Sequence, residues 1–579
     1  MSSFYALFGR SIALLVLVLQ GACAQLPEHV DRPVSTALSS PNGTALEALV
    51  QQRRKADGAR FESGFLLLAG PPAAYGSRLA LIEGAQKTLD LQYYAIHADA
   101  STGRLVRGVR AAAERGVRVR ILLDDLHSTG RDALVLGLAF VPNIEMRLFN
   151  PLAGARGSSF ARALNSIGDA SRIQQRMHNK LFLADNVLGV TGGRNLGDAY
   201  FGNALKGNYI DVDILAAGPI VRDLSRSFDS YWNNERAYPV QSLVKRSELE
   251  AIRERAQQAD RELADESARA QNSPPPATPE AEPKPGAAPT PAQLARAWDE
   301  KPMDLRTARF VWAPAVMLAD QPGKIPADKG AEKTRAPGLV VSQPGDAASS
   351  SRRAAALETS SDLAAGSDTV VEGLLQLIGQ ARTDLLIISP YFVPGPDMKQ
   401  AFAAARSRGV RIRVLTNSLS SNDAPVAHVG YSRHREDLLR MGVELYELRS
   451  EQASVGNAFG SSGSGGSLGE SRSMLHSKVL VMDGRLLVVG SMNLDLRSQL
   501  QNTEIALLVR SAELSRAASA QIERGMREGS WRVELNDGSL VWRAPEGSGL
   551  KDTSTEPDAS LTLRLLLRLF GPLAPDQLL

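Results

Sequence analysis

Two stretches of the chain carry histidine, lysine, aspartate and asparagine at the same spacings. The first is RMHNKLFLADNVLGVTGGRN (residues 176–195), and the second is MLHSKVLVMDGRLLVVGSMN (residues 474–493). The two align without a gap, which predicts a duplicated unit and two halves that share one site. The matching residues are His178, Lys180, Asp185, Gly192 and Asn195 in the first block, and His476, Lys478, Asp483, Gly490 and Asn493 in the second.

Each block predicts a β-hairpin that gathers its polar side chains. Residues i and i+2 of a strand face the same side, so His476 and Lys478 lie together. Asp483 and Gly484 form a turn-favouring pair before the return strand. An imidazole, an ammonium and an amide in one place suit an oxyanion such as a phosphate. The residues of the blocks are not a typical ligand set for a hard metal ion, so we expect no metal and no cofactor.

Elements upstream of each block repeat as well. Residues 88–96 alternate as a strand, residues 103–116 have helical spacing, and residues 117–125 form the next strand. The second half repeats this order over residues 384–392, 397–409 and 410–418. Both series predict a βαβ unit with parallel strands, so the duplication covers whole α/β domains.

An acidic residue follows each block on an apolar strand. Residues 208–221 contain Asp211 and Asp213, and residues 502–509 contain Glu504. A carboxylate on a buried strand usually has a partner. Either a catalytic histidine or a structural ion pair would satisfy this requirement.

A polar segment after the strand of residues 410–418 contains His428 and Tyr431. The carboxyl ends of strands are where α/β sheets usually build their sites. We therefore expect His428 and Tyr431 to line the substrate pocket. His97 and His127 also follow strands and are left unassigned, whereas His29 and His434 are expected at the surface.

The composition limits the classes of partner. A chain of 579 residues with 43% hydrophobic and 22% charged residues is typical of a globular protein with two or more domains. The net charge of +3 is too small to favour nucleic acid, so we expect no nucleic-acid partner.

Residues 1–25 have the pattern of an export signal. Their apolar run, residues 12–19, is too short to span a bilayer as a mature helix. Cys23 stands where a bacterial lipoprotein is cleaved and acylated, although Gln20 departs from the residue types usual there. The alternatives are plain secretion after cleavage at Ala24, an uncleaved anchor, and a cysteine without a role in targeting. We expect a lipid anchor at Cys23 in the bacterial cell envelope, on the periplasmic side of a membrane. A single cysteine excludes an intrachain disulfide.

At the two blocks the sequence resembles the phospholipase D superfamily, whose signature is H-x-K-x4-D followed by G-S-x-N. The second block has the whole signature, and the first has Gly193 in place of the serine that stands at Ser491 in the second. Further segments, among them LDLQYYAIHADASTGRL, GGRNLGDAYF, LTNSL and SMNLDLRS, resemble bacterial cardiolipin synthases of the C type and their phospholipase-D-like relatives. This resemblance extends over about residues 60–545, apart from the proline-rich insertion.

The resemblance implies two phospholipase-D-like α/β domains, each a mixed sheet flanked by helices. They would be related by a pseudo-twofold axis and share one active site at their interface. The expected divisions are the signal 1–25, a tether 26–60, a first domain 61–245, a linker or insertion 246–360 with a proline-rich segment, a second domain 361–545 and an amphipathic tail 546–579. A strand at 308–318 within the linker is expected to return to the first domain, and the glycine- and serine-rich residues 456–473 are expected to form an exposed loop.

The resemblance also implies the roles of the site residues. His178 would be the nucleophile and His476 the general acid, although the near-symmetry of the blocks does not order them. The other residues would serve as catalytic partners (Lys180, Lys478, Asp185, Asp483), phosphate ligands (Asn195, Asn493, Ser491, Gly193) and histidine-orienting acids (Asp213, Glu504). Position at a hairpin favours a turn or supporting role for the two motif aspartates, Asp185 and Asp483.

The expected reaction moves a phosphatidyl group to the hydroxyl of phosphatidylglycerol. Phosphatidylglycerol and phosphatidylethanolamine at a membrane surface would be the partners, and the chain would act as a monomer. The alternatives are a hydrolase of the phospholipase D type, another phosphodiesterase such as a nuclease, or a lipid-binding protein without activity. Two complete sets of histidine, lysine, aspartate and asparagine argue against the last of these.

Overall fold

The computed structural model describes residues 26–154, 156, 170–205, 207–271, 289–325, 338–342, 362, 364, 366–450, 473–560, 564–565 and 575–576. The expected signal with Cys23, most of the proline-rich segment, most of the glycine- and serine-rich loop and most of the apolar end of the tail (residues 559–579) lie outside the described residues.

The strands of the first half are β1 (Gly64–Leu68), β2 (Thr88–Tyr93), β3 (Arg118–Asp124), β4 (Ile144–Phe149), β5 (Leu181–Ala184), β6 (Leu188–Gly192), β7 (Asn208–Ile210), β8 (Asp213–Ala217), β9 (Ala237–Pro239) and β10 (Val311–Trp312). Within the described residues, nine of them form one mixed sheet in the order β10-β1-β8-β6-β5-β2-β3-β4-β9, and β7 lies outside it. Its helices are Ala45–Ala56, Pro71–Gly84, Ala100–Glu114, Ala170–Gln174, Ile220–Trp232, Val240–Leu243, Arg246–Gln271 and Pro291–Asp299, with 3-10 turns at Gly130–Phe140 and Asp198–Tyr200.

The strands of the second half are β11 (Ala315–Asp320), β12 (Leu339–Val341), β13 (Asp384–Ile388), β14 (Phe392–Val393), β15 (Arg411–Asn417), β16 (Glu444–Leu448), β17 (Ser473–Leu475), β18 (Val479–Met482), β19 (Leu486–Gly490), β20 (Leu494–Asp495), β21 (Ile505–Arg510), β22 (Ser530–Asn536) and β23 (Ser539–Arg543). Within the described part of the chain, ten of them form a second mixed sheet in the order β12-β11-β21-β19-β18-β13-β15-β16-β22-β23, and β14, β17 and β20 lie outside it. The helices are Val370–Ile378, Pro396–Ser407, Pro425–Arg440, Leu496–Leu500 and Ala512–Gly529, with a 3-10 turn at Pro322–Lys324.

The two predicted βαβ units are confirmed. Strands β2 and β3 pair in parallel, and the helix Ala100–Glu114 connects them. Asp99 caps this helix by accepting from the backbone N–H of Thr102. Strands β13 and β15 pair in the same way around the helix Pro396–Ser407. Each histidine block forms the predicted hairpin, β5–β6 and β18–β19.

The strand expected to return to the first half is split between the two sheets. Val311 and Trp312 (β10) pair with β1 of the first sheet, whereas β11 pairs with β21 of the second. Pro314 stands between them and has no N–H for a sheet ladder, so one continuous strand is disfavoured there. The prediction was therefore right for β10 and wrong for β11.

The two halves share an apolar core. One cluster of buried residues contains side chains of both sheets, such as Leu183 and Leu507. It also contains Phe228 of the helix Ile220–Trp232 and Ile522 of the helix Ala512–Gly529. These two helices follow β8 and β21, which are the equivalent strands of the two halves. Burial of this surface provides the main free energy that holds the halves together.

The segment expected to be a tether is packed against the first half along part of its length. Arg120 is buried and donates to the carbonyl oxygen of Ser35 at 3.0 Å, and Arg147 donates to that of Pro33 at 2.5 Å. The backbone N–H of Ala37 donates to Asp229 at 2.8 Å. Buried guanidinium groups require acceptors, and the extended segment supplies its carbonyl oxygens.

Among the described residues, no helix has both the length and the apolar character needed to cross a bilayer.

Candidate active site

The two halves exchange backbone hydrogen bonds next to each histidine. The N–H of His178 donates to the carbonyl oxygen of Thr503 at 2.9 Å, and the N–H of His476 donates to that of Ile210 at 2.9 Å. Strand β17, just before His476, pairs in parallel with β7 of the first half. Because each histidine is fixed by a segment of the opposite half, the two blocks lie at one interface.

Each histidine is also paired with a carboxylate of the opposite half. His178 Nδ1 lies 3.0 Å from Glu504 Oε2, and His476 Nδ1 lies 2.6 Å from Asp211 Oδ2. Both imidazoles and both carboxylates are buried. When Nδ1–H donates to a carboxylate, Nε2 is the nitrogen left for chemistry with a substrate.

The prediction that Asp213 orients a histidine was wrong. Asp213 binds Arg78 Nη2 at 2.9 Å, and Asp211 takes the position beside His476. The strand registers explain the difference. Gly192 pairs with Asp213 on β8, and the equivalent Gly490 pairs with Ala506 on β21, so that Asp211 is the counterpart of Glu504.

Gly193 departs from the family signature for a steric reason. A side chain at residue 193 would overlap the carboxylate of Asp211. At the equivalent position of the second half, Ser491 Oγ donates to Glu504 Oε2 at 2.5 Å. Ser498 Oγ donates to the other oxygen of Glu504 at 2.9 Å. The glycine therefore allows Asp211 to lie 2.6 Å from His476, whereas Glu504 lies 3.0 Å from His178. Ser491 holds Glu504 in place by its hydrogen bond.

The two motif lysines are buried and turned toward their own histidines. Lys180 Nζ donates to the carbonyl oxygen of His178 at 2.6 Å, and Lys478 Nζ donates to that of His476 at 2.6 Å. Burial is the main cause that lowers the pKa of Lys180 to about 7 and that of Lys478 to about 8. A lysine ammonium carries three N–H donors, and these carbonyl contacts account for one in each case.

The electrostatics differ between the two histidines. Burial, followed by the charges of Lys180 and Lys478, lowers the pKa of His178 well below its ordinary value. Burial and Lys478 also lower the pKa of His476, while Asp211 acts in the opposite direction. Burial would raise the pKa of Asp211, but the charge of His476 and its hydrogen bond bring it to about 2. Burial raises the pKa of Glu504. An ionised carboxylate thus favours an imidazolium at His476 more than at His178.

The two motif asparagines have different surroundings. Asn195 accepts from the backbone N–H of Ala95 at 3.2 Å and donates from Nδ2 to Tyr200 Oη at 3.0 Å. Asn493 is buried, and its Oδ1 has no hydrogen-bond partner among the described residues. The backbone N–H of Asn493 donates to Ser498 Oγ at 3.2 Å.

The motif aspartates lie at the loops before β2 and β13 rather than beside the histidines, so their assignment as catalytic residues was wrong. Asp185 accepts from the backbone N–H groups of Gln86, Lys87 and Thr88. Asp483 accepts from those of the equivalent loop, Arg382, Thr383 and Asp384. The hairpin position places both in the left-handed region, with φ of 50° and 51°. These contacts match the supporting role that their position in a turn predicted.

Several aromatic residues surround the histidines. The ring of Tyr94 lies edge-on to His178 at 5.1 Å, and the ring of Tyr200 lies edge-on to His476 at 5.3 Å. Tyr209 lies 5.0 Å from His476 and stacks on Tyr200 at 4.6 Å. Sequence reasoning did not single out these tyrosines, although Tyr200 lies in the exit loop GGRNLGDAYF and Tyr94 directly follows β2.

His428 and Tyr431 belong to a buried ion-pair cluster in the second half of the chain. Neither is among the described contacts of His178 and His476. Tyr431 Oη donates to Glu447 at 3.0 Å, and His428 Nε2 lies 3.3 Å from Glu556. Arg435 binds both acids, each at 2.9 Å. The prediction placed them in the pocket because their segment follows β15, but the helix Pro425–Arg440 turns them into the second domain.

The other histidines are distributed as follows. His97 Nδ1 lies 2.9 Å from Asp132, and the ring of His127 lies edge-on to Tyr94 at 4.8 Å. His29 is exposed, as expected. His434 is partly buried beside Asp576 at 3.0 Å, so the prediction of a surface residue was only partly right. In the part of the chain that the structure describes, no group of three or more histidine, cysteine and acidic residues could hold a metal ion.

Comparisons with known proteins show the family of the chain. The family model described as "Cardiolipin synthase, PLD-like domain" matches twice, at residues 79–232 and 374–526. The chain belongs to this family. Cardiolipin synthase C of Escherichia coli strain K12 is 32% identical over 526 residues, which cover 87% of the chain and 94% of the relative. An uncharacterised protein of Helicobacter pylori strain 26695 is 30% identical over 504 residues, 84% of each chain.

Two solved structures have a weaker similarity to the chain. The phosphatidylserine synthase of Haemophilus influenzae has a TM-score of 0.49 at 12% identity and covers 91% of this chain and 99% of its own. Nuc of Salmonella typhimurium has a TM-score of 0.21 at 18% identity over 28% of this chain and 88% of its own. The family match and the E. coli relative establish that the chain is an enzyme of the phospholipase D superfamily, with the duplicated α/β fold that its sequence predicted.

Proposed function

We propose that the chain is a phosphatidyltransferase of the cardiolipin synthase type. It moves a phosphatidyl group from a donor phospholipid to a hydroxyl of phosphatidylglycerol. The main support is the pair of crossed histidine–carboxylate contacts, His178–Glu504 and His476–Asp211, which leaves one Nε2 in each half for catalysis. The name of the E. coli relative, which the chain matches over 94% of its length, supports the choice of substrate.

In the first step, His178 Nε2 attacks the phosphorus of the donor. The bond between phosphorus and the headgroup oxygen breaks, and His476 gives its Nε2 proton to the departing alcohol. The electrostatics support this order, because the pKa of His178 lies well below its ordinary value and keeps the nucleophile neutral. The ionised Asp211 supports the proton on His476, and the bound phosphodiester anion adds further negative charge.

In the second step, the roles reverse. His476, now neutral, takes the proton from the hydroxyl of phosphatidylglycerol while that oxygen attacks phosphorus. The phosphorus–nitrogen bond breaks, cardiolipin forms, and His178 returns to its neutral state. No proton is gained or lost over the two steps.

Lys180 and Lys478 stabilise the charge that develops on the non-bridging oxygens. Both are already fixed by the carbonyl oxygens of their histidines, so their remaining N–H groups need little reorganisation. The side chains of Asn195 and Asn493 complete the phosphate contacts. Asp185 and Asp483 hold the hairpins in place.

A hydrolase of the phospholipase D type is the second candidate, because the same groups serve water as the acceptor. The test uses the purified full-length chain in mixed micelles of phosphatidylethanolamine and phosphatidylglycerol, with products separated by mass. We expect cardiolipin from the wild type and none from His178→Ala or His476→Ala. The exposed His29→Ala is the matched control and should retain activity. Phosphatidic acid as the sole product would assign the hydrolase instead, and the absence of both products would overturn a phospholipid function.

We further propose that Cys23 is the lipid-modified residue, that the protein acts as a monomer at the bacterial envelope, and that it takes phospholipids rather than nucleic acid. A monomer is sufficient because one chain supplies both histidines. The expected results are incorporation of a labelled fatty acid that Cys23→Ala abolishes, and a monomeric mass in detergent. An unlabelled wild type or activity confined to a dimer would contradict these proposals.

A further inference from the structure

An unusual carboxylate lies beside the His476 side of the site. Asp423 stands just before the helix Pro425–Arg440 and is exposed. Its Oδ2 accepts from Tyr209 Oη at 2.9 Å, and its Oδ1 accepts from Tyr391 Oη at 2.7 Å. Two phenols from different halves of the chain thus fix one carboxylate.

Among the described residues, no lysine, arginine or histidine forms an ion pair with Asp423, although its charge acts on Lys478. Neutral phenols stabilise a carboxylate without cancelling its charge. Asp423 therefore presents a carboxylate that no cationic side chain of the described residues neutralises, and it is exposed to solvent.

The same carboxylate is joined to the catalytic centre by aromatic rings. Tyr209, which binds Asp423, lies 5.0 Å from the ring of His476 and stacks on Tyr200 at 4.6 Å. Tyr200 itself lies 5.3 Å from His476. A fixed carboxylate with ring faces nearby is the arrangement that binds an ammonium group.

The opposite side of the site differs. Tyr94 lies beside His178, and His127 lies beside Tyr94. Within the described chain, the guanidinium of the partly buried Arg497 forms neither a hydrogen bond nor an ion pair. The two sides of the site therefore differ in charge. The carboxylate of Asp423 lies on the His476 side, and the guanidinium of Arg497 lies on the His178 side. An anionic headgroup would be repelled there, and a cationic one would be attracted.

We propose that Asp423, Tyr209, Tyr391 and Tyr200 form a subsite for the ammonium group of an amino-alcohol headgroup. The inference rests on the proposed function, in which His476 protonates the departing alcohol. That alcohol leaves from the side of His476, so its ammonium group lies toward Asp423 while its oxygen takes the proton. The subsite selects the donor phospholipid by the charge of its leaving group.

The test compares two donors that differ in that charge. Purified full-length wild type and Asp423→Asn are assayed with phosphatidylethanolamine and with its N-acetyl derivative, which has no positive charge. Phosphatidylglycerol is the acceptor in both cases. The exposed Asp397→Asn, at the start of the helix Pro396–Ser407, is the matched control. Thermal unfolding of each variant accompanies the assay.

For the wild type we expect kcat/KM to be about tenfold or more higher with the charged donor, as the loss of a charge-assisted hydrogen bond implies. Asp423→Asn should lower kcat/KM for the charged donor by a similar factor and abolish the preference. Asp397→Asn should keep both. An equal loss on both donors, or a wild type without preference, would overturn the subsite.

Failure of the proposed function gives a different result. In that case the wild type forms no cardiolipin from either donor. The headgroup proposal is then overturned along with it, whereas cardiolipin formed without donor preference overturns the headgroup proposal alone.

Discussion

His476 Nδ1 lies 2.6 Å from Asp211 Oδ2, and the two residues belong to opposite halves of a duplicated chain. The reciprocal contact, between His178 and Glu504, measures 3.0 Å. Each half therefore orients the histidine of the other. A half expressed alone would lack the acid that its own histidine uses.

Replacement of Asp211 by asparagine is expected to lower activity, whereas replacement of Asp213 is expected to lower stability. The amide removes the charge that favours an imidazolium at His476, so kcat should fall by about 10²–10⁴-fold. Asp213→Asn instead removes the charge from the buried contact with Arg78, and the free energy of unfolding should fall by about 3–5 kcal/mol. Assays and urea unfolding of both variants check this. Equal losses of kcat in the folded proteins would contradict the assignment of Asp211.

The two motifs differ at one position, which is Gly193 in the first and Ser491 in the second. This difference gives a second prediction. Gly193→Ser restores the family signature, but its side chain would displace the carboxylate of Asp211 from His476. We expect a loss of activity of about a hundredfold, because general acid–base catalysis depends on that position. Ser491→Gly only removes a hydroxyl contact with Glu504 and should cost less. Higher activity of Gly193→Ser than of the wild type would show that the steric argument is wrong.

The two motif aspartates are expected to affect stability more than chemistry. Asp185→Ala leaves three backbone N–H groups without their acceptor and places alanine at a positive φ. The free energy of unfolding should fall by at least about 2 kcal/mol, since an unsatisfied buried donor costs about 1–3 kcal/mol. Below the unfolding temperature, kcat per folded molecule should stay close to that of the wild type. A loss of kcat without a change in stability would return Asp185 to the catalytic residues.

The pH dependence follows from the lowered pKa values of the lysines. A lowered pKa means that Lys180 loses its proton near pH 7 and Lys478 near pH 8 in the free enzyme. Their positive charge is complete below these values and is lost as the pH rises through them. We therefore expect kcat/KM to fall between about pH 7 and pH 9. A profile that stays flat up to pH 10 would show that the lysine charges do not support substrate binding.

Much of this arrangement can be predicted from the sequence, because the repeated spacing fixes which residues share a strand face. The hairpins, both βαβ units and the position of His178, Lys180, His476 and Lys478 follow from periodicity and repetition. Asp211 and Asp213 could not be separated in that way, since residues two apart face the same side of a strand. Their distinction needs the register between β6 and β8.

Contacts between distant segments could not be predicted from the sequence either. Asp423 and Tyr209 are 214 residues apart, and no local pattern links them. The chain passes from the first sheet to the second at Pro314. This passage depends on the positions of β1 and β21, which pair with the residues before and after the proline.

The most direct test of the mechanism is to trap the covalent intermediate in His476→Ala. The donor is a phosphatidyl ester of p-nitrophenol, a leaving group that needs no general acid, and no acceptor alcohol is added. We predict a burst of one p-nitrophenol per enzyme molecule, with the phosphatidyl group found on His178 after an alkaline quench and peptide mapping. With phosphatidylglycerol added as the acceptor, the exposed His29→Ala control should release the product in multiple turnovers, whereas His476→Ala should stay limited to the burst. No burst from His476→Ala, or a burst from His178→Ala with the label on His476, would contradict the proposed order of the two histidines.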